Sequence, residues 1–227
     1  MDVRTRLLRA AGEQLAASAD GDIATRAVCD AVGVTQPVLY RIFGDKQGLL
    51  DALVDDGFER YAERKRALRE TADPVADLRA GWTDHMEFAR AEPALYRLMF
   101  TPRPGGTPAA HKRIFDTLVG TLTRCAAAGA LTTEPAVAAQ TILSANIGAA
   151  LNMINLPGLY SDPELPVHMR EAGLGALLTE RPAAERTATT VQTARQLRAQ
   201  IALAPPDQLI PEERELLKRW LERLTAG

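Results

Sequence analysis

Apolar residues recur along this chain at intervals of three and four, the period of a helix with one buried face. The strict alternation of a half-buried strand is almost absent. Residues 4–18 put Leu7, Leu8, Ala11 and Leu15 on one face and predict a first helix. Residues 25–32 predict a short second one, capped by Thr25, with Ala27, Val28, Ala31 and Val32 turned inward. From Thr35 the pattern splits cleanly. At about 100° per residue Gln36, Pro37, Tyr40 and Arg41 fall on one arc, and Val38, Leu39, Ile42 and Phe43 on the other. Thr35 is placed to cap this third helix through its hydroxyl, and Pro37 sits in the first turn, where a missing donor costs little. Val34 and Leu39 are spaced as a hydrophobic staple. Gly33 supplies the positive φ that a tight helix-to-helix turn needs; Gly44 ends the third helix and Asp45 caps the next.

That next helix runs from Asp45 to about Glu70 with an inner stripe of Leu49, Leu50, Leu53, Val54, Phe58 and Tyr61, and its basic end, 60–69, reads as a solvated face. Thr71-Ala-Asp-Pro74 is the clearest break. Beyond it, residues 75–91 align Leu78, Trp82, His85, Met86 and Ala89. Residues 93–100 form a short apolar helix, 101–108 a Pro- and Gly-rich loop, and 109–128 a helix with Ile114, Leu118, Leu122 and Cys125 inward. No charge occurs from Pro135 to Ser161, yet Gln140, Ser144, Asn146, Asn152 and Asn155 interrupt the apolar run, so a buried or interface helix is expected there and not a membrane span. Further helices are expected over 167–180, 183–203 and 211–224, the last with Leu216, Leu217, Trp220, Leu221 and Leu224 on one face. The fold class is therefore all-α.

Composition narrows the function. With 46% hydrophobic and 25% charged residues in 227, the chain reads as an ordinary globular protein. The net charge of −2 rules out a polycation. Residues 1–70 hold 11 Lys/Arg against 12 Asp/Glu, so nucleic-acid affinity would have to come from placement, not bulk charge. Arg4, Arg6, Arg9, Arg26, Arg41 and Lys46 are the bases near the third helix. Cys29 and Cys125 lie far apart in apolar contexts and read as buried thiols of a reducing cytoplasm. No apolar leader is apparent; no metal-ligand spacing, cofactor loop or partnered catalytic motif stands out, so no metal, cofactor or catalytic residue is expected.

Helix, Gly-centred turn and short second helix make a helix-turn-helix, whose second helix enters the major groove. The face of Gln36, Tyr40 and Arg41 suits base edges, and a helix start beside Lys46 suits a phosphate. At this point the run Gly33-Val34-Thr35-x-x-x-Leu39-Tyr40-x-x-Phe43-x-x-Lys46-x-x-Leu49-Leu50 resembles the DNA-binding signature of TetR-type regulators. The resemblance covers about the first quarter of the chain. It implies that Thr35, Gln36, Pro37, Tyr40, Arg41 and Lys46 approach double-stranded DNA, with Thr25 and Arg26. Pro37 and Val38 depart from it, standing where small residues are commoner. More weakly, the later helices resemble the ligand-binding and dimerisation domain of the same family.

With the break at Thr71–Pro74, the resemblance gives a layout of 1–46 as DNA-binding domain, 47–72 as connecting helix and 73–180 as ligand-binding and dimerisation domain. The residues beyond it, 181–227, read as additional C-terminal helices that the resemblance does not call for. It further implies a cytoplasmic homodimer, with no membrane partner, that represses from a near-palindromic operator until a small apolar or amphipathic effector binds. Trp82, His85, Met86, Tyr96, Met99, Phe100 and Asn146 are the candidate effector contacts: an apolar wall with few polar groups, made adaptable by methionine. The same residues could simply be a packed core. Two rivals remain: a helical enzyme or ligand-binding protein using Trp82, His85 and Tyr96, and an interaction or storage protein with a vestigial helix-turn-helix.

Overall fold

The computed structural model describes residues 2–18, 21–101, 109–179, 189–206 and 208–225. These contain α1 (Val3–Ala17), α2 (Thr25–Val32), α3 (Gln36–Phe43), α4 (Lys46–Ala67), α5 (Pro74–Ala91), α6 (Pro93–Phe100), α7 (Ala109–Ala127), α8 (Pro135–Asn155), α9 (Leu165–Leu177), α10 (Thr190–Leu203) and α11 (Pro211–Thr225). The molecule is all-α, with an N-terminal helix-turn-helix followed by a helical C-terminal part; one isolated antiparallel bridge pairs Leu131 with Leu178. The loop expected over 101–108 lies outside the described residues from 102 on, as does the start of the helix expected over 183–203.

The chain forms two compact units. The first comprises residues 1–67, 84–113 and 150–161. Here α1 packs on α2, α4 and α6, while α3 rests on α2 and α4. Leu7, Leu15, Val28, Leu39, Leu49, Leu53, Phe58 and Tyr61 are buried at the centre. Asp2 caps α1, accepting from the Thr5 amide at 2.7 Å. Gly33 takes the left-handed conformation, φ 73°, and the amides of Gly33 and Val34 return to the carbonyls of Asp30 and Cys29. The Arg6 guanidinium donates to the Val32 carbonyl at 2.5 Å, satisfying another orphan acceptor at the end of α2.

Three local expectations fail here. In α2 the inward stripe is Val28, Cys29 and Val32, and Ala27 and Ala31 are exposed; the larger apolar side chains took the core and turned both alanines out. Thr25 is the first helical residue and does not cap, since Ala24 holds the cap position. Thr35 does stand at the cap of α3, but its hydroxyl makes no capping bond. Asp45, by contrast, accepts from the Gly48 amide at 2.7 Å and starts α4 as expected.

The second unit comprises residues 68–83, 114–149 and 162–227. Arg124 of α7 ties down the break before α5: it donates to Asp77 at 2.8 Å and to the Thr71 carbonyl. The Trp82 indole donates to the Pro166 carbonyl at 2.9 Å and so fixes α9. Residues 189 and 192 make a reciprocal capping box at the start of α10. Gln196 and Gln200 both donate to the Ala127 carbonyl, docking α10 on the end of α7. Along α11 only Leu221 of the apolar stripe is buried, leaving Leu216, Trp220 and Leu224 exposed. Helix α8 is long and apolar enough to cross a membrane by length and composition, yet Ala138, Ala139, Ile142, Asn146, Ala149 and Ala150 are buried along it.

Candidate nucleic-acid interface and buried polar cluster

Helix α3 presents the face that the pattern foretold. Leu39 is its buried anchor, Val38, Ile42 and Phe43 are half-buried, and Pro37, Tyr40 and Arg41 are exposed. Gln36 is half-buried because it turns toward α2: its amide donates to the Thr25 hydroxyl at 3.3 Å. The same hydroxyl lies 3.4 Å from the Tyr40 phenol. Three residues expected to meet DNA are therefore joined across the turn, with Thr25 at the hub. Arg26 and Arg41 are exposed and form no ion pair among the described residues. Thr35 is exposed, its hydroxyl unspent on the helix.

Lys46 stands in the first turn of α4 as expected, but its ammonium lies 2.5 Å from Asp22. A phosphate reaching Lys46 would have to displace or share that carboxylate. On the other side, the Arg4 guanidinium lies over the Phe43 ring, 5.7 Å from its centroid. Arg4 and Arg6 are thus partly spent on the fold, Arg4 steadying α3 and Arg6 closing α2.

The candidate effector residues separate. His85, Met86, Tyr96, Met99 and Phe100 belong to the first unit; Trp82 and Asn146 belong to the second. Within the first unit, His85 is sandwiched between two phenols: Nδ1 is 2.6 Å from the Tyr61 hydroxyl and Nε2 2.6 Å from the Tyr96 hydroxyl. Burial, aided by the nearby Lys65 charge, pulls the imidazole down to about 3, so it is neutral at physiological pH. A neutral imidazole has one donor and one acceptor nitrogen, so one tyrosine donates to it and the other accepts from it. Burial also pushes both phenols up. Phe88 meets the Tyr61 ring edge-on, and Phe100 packs at a tilt against the His85 ring. Asn146, buried in the second unit, has no hydrogen-bond partner for its Oδ1 among the described residues.

Sequence reasoning took Tyr61 for plain core and missed it as the third member of this relay. The signal was its place one turn beyond Phe58 on the inner stripe, opposite the face carrying His85. At the basic end of α4 the same reasoning missed the ion pairs that two of the bases make with α5. Arg60 pairs with Asp56 and Glu92, and Arg64 with Asp84 and Glu87; the Lys65 ammonium is 2.7 Å from Asp84 and lies against the Tyr61 ring. An ion-paired seam thus runs along one side of this basic stretch, while Arg60, Glu63, Arg66 and Arg69 are exposed as expected. Asp84 and Glu87 stand one turn apart on α5 and share Arg64 between them, while Asp84 also takes the neighbouring Lys65.

Residues 7–53 match the family described as bacterial regulatory proteins, tetR family, and residues 78–216 match the tetracyclin repressor-like C-terminal domain. A nucleoid occlusion factor, SlmA, of Marinomonas sp. is 30% identical over 99 residues, covering 43% of this chain and 50% of that protein. The chain thus aligns with about half the length of that curated relative. A protein of unknown function from Rhodococcus sp. RHA1 shares the fold with a TM-score of 0.66 at 23% identity, over 79% of this chain and 97% of the other. A structure described as the molecular basis for control of antibiotic production by bacterial hormones gives 0.65 at 22% identity, over 79% and 100%. At such identities the structural likeness is one of fold.

Proposed function

The chain belongs to the TetR family of bacterial transcription regulators, and from that premise we propose that it is a homodimeric, cytoplasmic repressor released from DNA by a small apolar or amphipathic effector. In this reading residues 1–46 bind DNA, 47–72 connect, 73–180 bind the effector and form the dimer, and 181–227 add helices to that part. Each protomer lays α3 in a major groove. Two-fold symmetry then calls for a near-palindromic operator with half-sites one or a few turns apart. Arg41 and Gln36 read base edges, Arg41 a guanine at about 1–3 kcal/mol of discrimination. Thr25, Arg26, Thr35, Tyr40 and Lys46 fix register on phosphates, and Pro37 offers an apolar contact. The observation that carries the reading is the exposed Tyr40–Arg41 edge of α3, braced from beneath by Leu39 and from the side by Thr25.

The effector reading rests on the cluster around His85. Met86, Met99 and Phe100 supply an adaptable wall and the Tyr61–His85–Tyr96 relay supplies polar groups. Trp82 and Asn146 would serve the same role in the second unit. The relay also weighs against the enzyme alternative, because both imidazole nitrogens are already committed to phenols and the imidazole's basicity is suppressed. That the structural relative described in terms of bacterial hormones has this fold is consistent with a small-molecule effector.

Selection of binding sites from random duplex by the full chain and by Arg41→Ala tests the base-reading role. The expected outcome is a two-fold-symmetric consensus for the parent and the loss of one position per half-site in the variant. An identical consensus in both would remove Arg41 from the reading set.

A further inference from the structure

A cavity of about 660 Å³ lies wholly within the second unit, between α7, the start of α8, α10 and α11. None of the expected effector residues lines it. Its size falls in the range of small-molecule sites. The body of the wall is apolar: Val119, Ala199, Ile201, Ala202 and Leu221 face it, and Leu221 is the single buried leucine of the α11 stripe.

The polar groups of the wall are unequally matched. Arg195 and Arg198, one turn apart on α10, converge on the single carboxylate of Glu134. Two guanidiniums on one carboxylate leave an excess positive charge at the apolar surface. From α11, Arg214 spends its Nε on the Leu209 carbonyl, at 2.8 Å, and Lys218 stands one turn further on. Neither forms an ion pair among the described residues. The remaining acids of the wall are Glu215, which leans toward Arg219 at 3.9 Å, and Glu222. Cationic heads on two helices thus flank an apolar body. Guanidiniums suit a planar carboxylate in particular, because their donors match it two at a time.

We propose that this cavity is a binding site for an amphipathic organic anion, its carboxylate held by the cations of α10 and α11 and its apolar body against Val119, Ile201 and Leu221. The site is separate from the His85 cluster and does not depend on the DNA-binding reading. The alternative occupant of an apolar recess, a second copy of the chain, would not require the cations.

Calorimetric titration of the full chain with decanoate, decanol and decyltrimethylammonium tests the proposal. Decanoate is expected to bind one per chain, at least tenfold tighter than the alcohol or the cation. Ala202→Trp, which fills the cavity from the half of α10 that faces it, is expected to weaken decanoate at least tenfold. Lys218→Glu, an exposed position whose change leaves the melting temperature in place, is expected to weaken decanoate about fivefold and leave decanol unaffected. Equal affinity for the three probes overturns the proposal. So does decanoate binding that persists in a folded Ala202→Trp, since the ligand would then sit elsewhere. Binding that tracks the oligomeric state in sedimentation and ignores Lys218→Glu assigns the recess to a second copy and also overturns it.

Discussion

His85 shows how burial, with the Lys65 charge beside it, makes one side chain answer to pH. Folded, it stays neutral down to about pH 3; unfolded, it protonates near 6.5. Between these values the unfolded chain binds a proton that the folded chain does not, so this group lowers stability as pH falls from about 6.5 toward 3 and has no effect above that window. Urea unfolding at pH 7 and pH 5 should show a loss about 2 kcal/mol larger in the parent than in His85→Phe, if that variant folds. An equal loss in both would mean that His85 is charged in the native state. Gly48 makes a second case at this scale. Replacing a helical glycine by alanine ordinarily stabilises by about 1 kcal/mol. Here the added Cβ would overlap the backbone carbonyl oxygen of Phe43, so Gly48→Ala should instead destabilise by roughly 2 kcal/mol or more and shift α3 against α4. The matching measurement is urea unfolding with operator affinity read on the same samples. The sequence placed Gly33, Gly44 and Asp45 correctly, since each acts within its own turn. Gly48 was silent, because its need arises from a carbonyl five residues earlier that the turn folds back on it.

At the scale of elements, helix faces were legible wherever one stripe outweighed the other. The buried leucines of α1 and α4 lie where periodicity put them, and so does the exposed edge of α3. What periodicity could not reveal was pairing between elements. Thr25 bonds Gln36 and Tyr40 across the turn, Lys46 bonds Asp22, and the bases of α4 meet the acids of α5. Each partner is remote in sequence, and each charge alone reads as solvated. The Lys46–Asp22 pair carries a consequence for DNA. The carboxylate stands where a phosphate would approach, so Asp22→Asn should raise affinity for unrelated duplex about two- to threefold at low salt. The gain should shrink as salt is added, because screening weakens the repulsion being removed. Fluorescence anisotropy over a salt series measures it; an unchanged affinity at low salt would put the phosphate path away from Lys46.

Across the whole molecule, a net charge of −2 and an acid-balanced first 70 residues leave little general attraction to DNA. In the proposed reading, recognition rests on the few groups that α2, α3 and the start of α4 bring to one edge, doubled by the proposed two-fold dimer. The family, the all-helical class and the helix-turn-helix were readable from a dozen residues in register, since that motif is local. The later part was readable only as helices. Its ring contacts, the Trp82–Pro166 bond and the cavity at α10 and α11 depend on packing between segments up to 84 residues apart. The central claim is that the α3 edge reads a specific operator. It is tested most directly by fluorescence anisotropy of the full chain on the duplex upstream of its own gene, with unrelated duplex as competitor. The account predicts tight binding that survives a hundredfold excess of competitor and is lost in the Tyr40→Ala, Lys46→Ala double variant with the fold intact. Binding no tighter than to unrelated DNA, both there and on sequences selected from random duplex, would contradict it.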